Sequence, residues 1–278
     1  MANATTPTTP TTHERRPTVV LRPVVIDPVP WGSSVVHVVR DDLLPGGAKE
    51  RGLGPFLEEE IGRGAREFVY ASPFCGWEQV ALAAACRRLR VSCRLFCEAD
   101  PSSGTTLAPH DVTERANLLG AQVSLHASLR EAEADAARYE RTRAGAKRLP
   151  LGFDADGFRH AMGRALERAW REVEIECGAP KHVWLPFGSG TLLGVFRAVL
   201  PEDVTFHAVN VRVLDDSDPR VIRAKSDPRV VFHRTELRSN ERATTRAPVP
   251  SNAFHDAKLW DFVLREGRAG DVWWNVAR

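Results

Sequence analysis

Residues 182–201 read HVWLPFGSGTLLGVFRAVLP. An apolar run ends at Gly188-Ser189-Gly190-Thr191, and a segment with helical spacing of Leu, Val and Phe starts at once. This is a strand running through a glycine turn into a helix. Backbone N–H groups at a helix N-terminus attract anions, and glycines let a phosphate approach the backbone. Ser189 and Thr191 would add hydroxyl donors. No lysine follows the glycines, so the turn is not a nucleotide P-loop. The spacing around Ser189 also lacks the flanking positions of a nucleophile elbow. A phosphate cradle and a plain strand–helix turn capped by Ser or Thr both remain open at this point.

The same strand-then-helix alternation extends outward from this stretch. Strands are expected at residues 34–40 (SVVHVVR), 67–72 (EFVYAS), 91–98, 121–127, 204–211 and 271–276. Helices are expected at residues 78–90, 110–120, 129–145, 158–178 and 257–267. Glycines close several of these helices. Repeated units of this length argue for an α/β fold with mostly parallel sheets. The Pro- and Arg-rich residues 220–252 read as irregular.

The chain has 278 residues, 43% of them hydrophobic and 27% charged, with a formal net charge of +2. That is the balance of an ordinary globular protein, and no apolar run spans a bilayer. Residues 1–17 are rich in Thr and Pro and read as a disordered tail with no secretory h-region, so the expected location is the cytoplasm. The odd cysteine count, five, argues against a disulfide framework. His37, His126 and His207 lie in strand-like runs and read as structural, and no cluster has metal-ligand spacing. Trp184, Trp260, Trp273 and Trp274 read as core. Arg220, Arg223, Lys225, Arg229, Arg234, Arg238, Arg242 and Arg246 fall in one stretch. They form either a solvated region or an electrostatic footprint for a polyanion.

Three further stretches could carry chemistry. Residues 40–53, RDDLLPGGAKERGL, place Lys49 after a Gly-Gly-Ala turn. A lysine in a desolvated pocket can form a Schiff base with a carbonyl. Residues 252–263, NAFHDAKLWDFV, put His255 and Asp256 before a helix. Residues 271–276, DVWWNV, end a strand at Asn275.

Taken in this order, the four stretches resemble the fold-type II pyridoxal-phosphate enzymes, the tryptophan-synthase-β-like group. Within it they are most similar to aminocyclopropane-carboxylate deaminase and D-cysteine desulfhydrase. The resemblance implies two α/β domains with the cofactor in the cleft between them. Residues 18–66 and 155–278 would form the larger, cofactor-binding domain and residues 67–154 the smaller one. It makes Lys49 the Schiff-base lysine and proton shuttle at Cα, and gives the phosphate to Gly188, Ser189, Gly190 and Thr191. It places Asp256 at the acid that meets the pyridine nitrogen, His255 at the family's tyrosine, and Asn275 near the ring. A homodimer is also implied.

The departures from the family matter as much. Ala48 stands where the relatives carry Asn, and the phosphate loop is one glycine shorter. The loop before the alanine-rich helix, ASPFCGWEQ, has Phe74 and Cys75 where the deaminases place Ser-Asn. Ser72, Cys75, Trp77, Gln79 and His255 are the candidate substrate contacts. The expected activity is a lyase acting at the α carbon of an amino-acid group. The ending KLWDFVLREGRAGDVWWNV is similar to that of enzymes encoded by tailed bacteriophages. That likeness implies decarboxylation of an amino acid attached to a modified thymine, with residues 220–246 meeting the DNA phosphates. A small-molecule deaminase or desulfhydrase and an inactive binding module are the alternatives.

Overall fold

The computed structural model describes residues 23–104 and 106–278. The expected tail, residues 1–17, lies outside them. Two sheets organise the chain. The smaller sheet and its flanking helices include β3 (Glu67–Ser72), α2 (Glu78–Leu89), β4 (Ser92–Glu98), β5 (Gln122–His126), α4 (Leu129–Thr142) and β6 (Ala146–Leu149). Their strands form an all-parallel sheet in the order β5-β4-β3-β6. Every residue of β3 is buried, as expected for an inner parallel strand covered on both faces. The helix α3 (Asp111–Leu118) joins β4 to β5.

The larger sheet has the order β1-β2-β10-β7-β8-β9. Its strands are β1 (Ile26–Trp31), β2 (Ser34–Arg40), β7 (His182–Phe187), β8 (Thr205–Asn210), β9 (Val230–Arg234) and β10 (Val272–Asn275). All neighbours are parallel except β1 and β2. The remaining α-helices are α1 (Glu50–Gly62), which precedes the smaller sheet in the chain, and α5 (Asp156–Cys177), α6 (Thr191–Val199), α7 (Pro219–Lys225) and α8 (Trp260–Glu266), which follow it. One buried apolar cluster joins the two sheets: Phe68 and Tyr70 of β3 belong to the same core as Val183 and Leu185 of β7 and Trp274 of β10.

Several elements lie outside the sequence expectations, β6 among them. β1 carries Pro28 and Pro30, which hid it from a strand reading, but it is an edge strand, where a missing N–H costs no ladder bond. Residues 220–252 are not irregular throughout. Asp218 caps α7 by accepting from the Arg220 N–H at 2.8 Å, and β9 adds a further strand to the sheet edge.

Pro186 shapes the sheet where the site forms. β7 pairs with β8 along its length, but its ladder with β10 covers only Val183 and Trp184. Pro186 has no N–H to extend it. The two strands therefore part toward their C-terminal ends, and a 3-10 turn, Asp256–Leu259, packs beside β7 there. No helix among the described residues is long and apolar enough to cross a membrane.

Candidate active site

The Arg40–Leu53 stretch is anchored before it reaches its lysine. Asp41 is buried and accepts from Arg51 Nε at 2.9 Å and from Trp274 Nε1 at 2.7 Å. Arg40 grips Asp42, donating from Nε at 2.7 Å, and also reaches Asp27. The Ala48 N–H donates to the Val276 carbonyl at 2.9 Å. Gly47 has φ +69°, and a Cβ there would lie 2.2 Å from the Val276 oxygen. Glycine is thus required both by the backbone conformation and by the close approach of the chain end after β10. The turn delivers Lys49 as the residue just before α1, and its Nζ contacts the Glu78 carboxylate at the start of α2. The Phe153 ring lies 5.6 Å from Nζ.

Lys49 opens into a cavity of about 340 Å³, within the range of small-molecule sites, roughly 300–1,000 Å³. Gly188, Ser189 and Gly190 line the same cavity, as do Cys75, Trp77, Glu78 and His255. Gly190 precedes α6 with φ +79°, so the first N–H groups of that helix are directed at the turn. A Cβ on Gly188 would come within 2.8 Å of His255 Nε2. The glycine leaves room between the loop and the imidazole. A helix N-terminus, two cavity-facing glycines, one hydroxyl and a lysine amine make a donor set that fits a phosphate ester bearing a carbonyl group.

The other expected contacts stand at different distances from the cavity. Thr191 is not among the residues lining this cavity; its Oγ1 lies 3.1 Å from Ser189 Oγ, and the residue borders an adjoining groove that shares Gly190 and Leu193 with it. Asp256 is fully buried behind His255 and does not line the cavity either. Its carboxylate accepts the Val276 N–H at 2.6 Å and lies 3.3 Å from His255 Nδ1. Burial pushes the Asp256 carboxyl upward, against His255 and the Val276 N–H. His255, which stands in front of it, lines the cavity. Asn275 is also fully buried, donates from Nδ2 to the Pro250 carbonyl at 2.8 Å, and lines no part of the cavity.

The loop from β3 to α2 divides likewise. Cys75 and Trp77 line the cavity, whereas Ser72 and Gln79 do not. Gln79 Nε2 donates to the Pro73 and Phe74 carbonyls at 2.9 and 3.1 Å, and Ser72 Oγ donates to the Pro73 carbonyl at 3.0 Å. Both side chains hold the loop's shape. Burial pushes the Cys75 thiol up to about 12, so it stays protonated and is a poor nucleophile.

Two cavity-lining carboxylates, Glu78 and Glu98, went unread in the sequence. As the first residue of a helix, Glu78 has the pattern of an acid favoured there by the helix dipole, which masked its contact with Lys49. Lys258 was also missed. It is buried, donates to the Arg238 carbonyl at 2.7 Å, and burial lowers it to about 8.

The arginine-rich stretch does not form one surface. Arg229 donates to the carbonyls of Arg197 in the last turn of α6 and of Leu200, Pro201 and Val204 beyond it, which is a structural role. Arg220 pairs with Asp218, and Arg242 lies over the Phe254 ring at 4.9 Å. Arg220 and Arg223 instead join Arg159, Arg164 and Arg197 around the groove behind the glycine loop, together with Asp154, Asp156 and Glu167.

No protein-family model matches this chain, and no curated protein matches it. Solved structures do match it. An ACC deaminase homologue superposes with a TM-score of 0.71 at 15% identity, over 94% of this chain and 91% of that one. The O-acetylserine dependent cystathionine β-synthase from Helicobacter pylori gives 0.65 at 16% identity, over 92% of each chain. The diaminopropionate ammonia lyase from Escherichia coli gives 0.61 at 12% identity, over 94% of this chain and 84% of that one. At these identities the likeness shows the fold: an α/β architecture of the fold-type II class, as the sequence resemblance implied.

Proposed function

We propose that the chain is a pyridoxal-phosphate-dependent lyase acting at the α carbon of an amino-acid group. One observation carries this reading. The Lys49 amine and the glycine turn before α6 line the same cavity, so an amine and an anion cradle are within reach of one small ligand. Lys49 would anchor the cofactor's carbonyl, and Gly188, Ser189 and Gly190 with the α6 N-terminus would hold its phosphate. His255, backed by Asp256, faces the cavity from beside Gly188 and would meet the ring. Bound there, the cofactor supplies an electron sink for charge left at Cα. The protein's part is orientation: whichever Cα bond the walls set across the ring is the one that breaks.

Two bond choices remain within this class. The names of the neighbours, a deaminase homologue and an ammonia lyase, support loss of an amine from a free amino acid. The bacteriophage likeness supports decarboxylation of an amino acid carried on a modified thymine, for which the arginine-lined groove behind the glycine loop is the surface to test. The first yields ammonia with no effect of DNA. The second yields carbon dioxide only from aminoacyl-thymine DNA, with binding that weakens steeply as salt rises.

The reading is tested by the visible absorbance of the protein purified with pyridoxal phosphate. A visible band is expected for the wild type and should be lost in Lys49→Ala while the fold is kept. A colourless wild type would support the inactive binding module instead.

A further inference from the structure

Glu78 is the first residue of α2 and a wall of the cavity, and its carboxylate contacts Lys49 Nζ. Both side chains are largely withdrawn from water, with side-chain exposures of 13% for Lys49 and 17% for Glu78. Among the described residues no other carboxylate makes an ion pair with Lys49. An ammonium has no lone pair and cannot attack a carbonyl carbon, so its proton must leave first. The wall in contact with Nζ offers one acceptor for that proton.

We propose that Glu78 is the proton partner of Lys49, holding the ammonium in position and taking its proton when the amine attacks a carbonyl carbon. The idea rests on the reading of Lys49 as a carbonyl-binding lysine. In the first step the Nζ–H bond breaks and an O–H bond forms on Glu78, leaving a neutral amine and a neutral carboxyl. The amine lone pair then forms the N–C bond, and the carbonyl oxygen leaves as water with the two hydrogens still on Nζ. The count closes with one proton retained on Glu78.

The surroundings of Glu78 suit this exchange. Burial is the largest influence on its carboxyl and pushes it upward, yet the Lys49 charge and hydrogen bond outweigh burial and hold it below the usual range. Its own backbone N–H and the charge of His255 add to that lowering. Once Nζ is neutral, the main opposing influence is gone and burial favours the protonated acid. The other titratable groups facing Glu78, Cys75 and Tyr70, are both held protonated, chiefly by burial. Neither competes for the proton. A buried carboxylate left without its cation would otherwise be a costly state.

Infrared difference spectra, protein loaded with pyridoxal phosphate minus protein alone, read this directly. On loading, a protonated-carboxyl band is expected that shifts in heavy water and is absent in Glu78→Gln. Should Gln at this position prevent folding, Glu78→Asp keeps the acid and is expected to move the band. Borohydride reduction of the same samples separates the two claims. A cofactor mass fixed on Lys49 with no carboxyl band sensitive to position 78 overturns the role of Glu78 alone. No mass on Lys49 overturns the carbonyl-binding reading and this role with it.

Discussion

Ser189 and Thr191 show how far one residue's role can be read from sequence. Both follow the strand β7 in a turn that promises hydroxyl donors, and nothing in the sequence separates them. Their hydroxyls lie 3.1 Å apart, yet Ser189 lines the cavity and Thr191 borders an adjoining groove. Ser189→Ala should therefore weaken pyridoxal phosphate binding roughly 10- to 150-fold, the worth of a hydrogen bond to a charged group at about 1.5–3 kcal/mol. Thr191→Ala should cost several-fold less. Fluorescence titration of the two variants checks the order, and equal losses would contradict the placement. The same limit applied to His255 and Asp256. The sequence sets them side by side, but only the packing against Val276 shows that the histidine faces the cavity and the acid stands behind it.

At the scale of elements, the lysine turn and the last strand depend on each other. The Asp41 carboxylate joins Arg51 of α1 to Trp274 of β10 in a buried cluster, and the Ala48 N–H adds a bond to Val276. Asp41→Asn removes the charge facing Arg51 while keeping the shape. Breaking a buried pair from one side costs about 3–5 kcal/mol, and urea denaturation should show a loss of that order. A loss below about 1 kcal/mol, the worth of a surface pair, would contradict this anchoring role. The sequence made most strands and helices legible, because their apolar periods and closing glycines are local signals. It hid β1 behind two prolines and β9 within an arginine-rich run, since edge position and sheet pairing are decided by distant partners.

Across the whole molecule, the larger sheet carries a row of imidazoles away from the cavity, buried at His207 and His233 and half-buried at His182. His182, His207 and His233 lie on β7, β8 and β9, with nitrogen separations of 3.2 and 3.1 Å, and Trp184 stacks on His207 at 4.1 Å. Glu266, Arg268 and the Asp271 partner of Trp184 stand around the row. Burial, then the neighbouring histidines and Arg268, lower His207 to about 3, and burial also lowers His233. For a base whose folded pKa lies below its unfolded value, the unfolded chain takes the proton first. Stability therefore falls as pH drops through about 6.5, the ordinary histidine value, and keeps falling toward about 3. The slope approaches roughly 1.4 kcal/mol per pH unit for each such histidine. His207→Gln should flatten this slope in urea denaturation between those limits, and an unchanged slope would contradict the assignment. The reading of His207 as structural came from its strand-like setting; the pairing across three strands is a product of the sheet order and had no local signal.

The central claim is that Lys49 binds the carbonyl of pyridoxal phosphate, and peptide mapping tests it most directly. Protein incubated with pyridoxal phosphate is reduced with borohydride, digested and analysed by mass spectrometry. The account predicts the reduced cofactor mass on Lys49 in the wild type and on no lysine in Lys49→Ala. A wild-type protein with no modified lysine, or with the mass on Lys258 in place of Lys49, would contradict it.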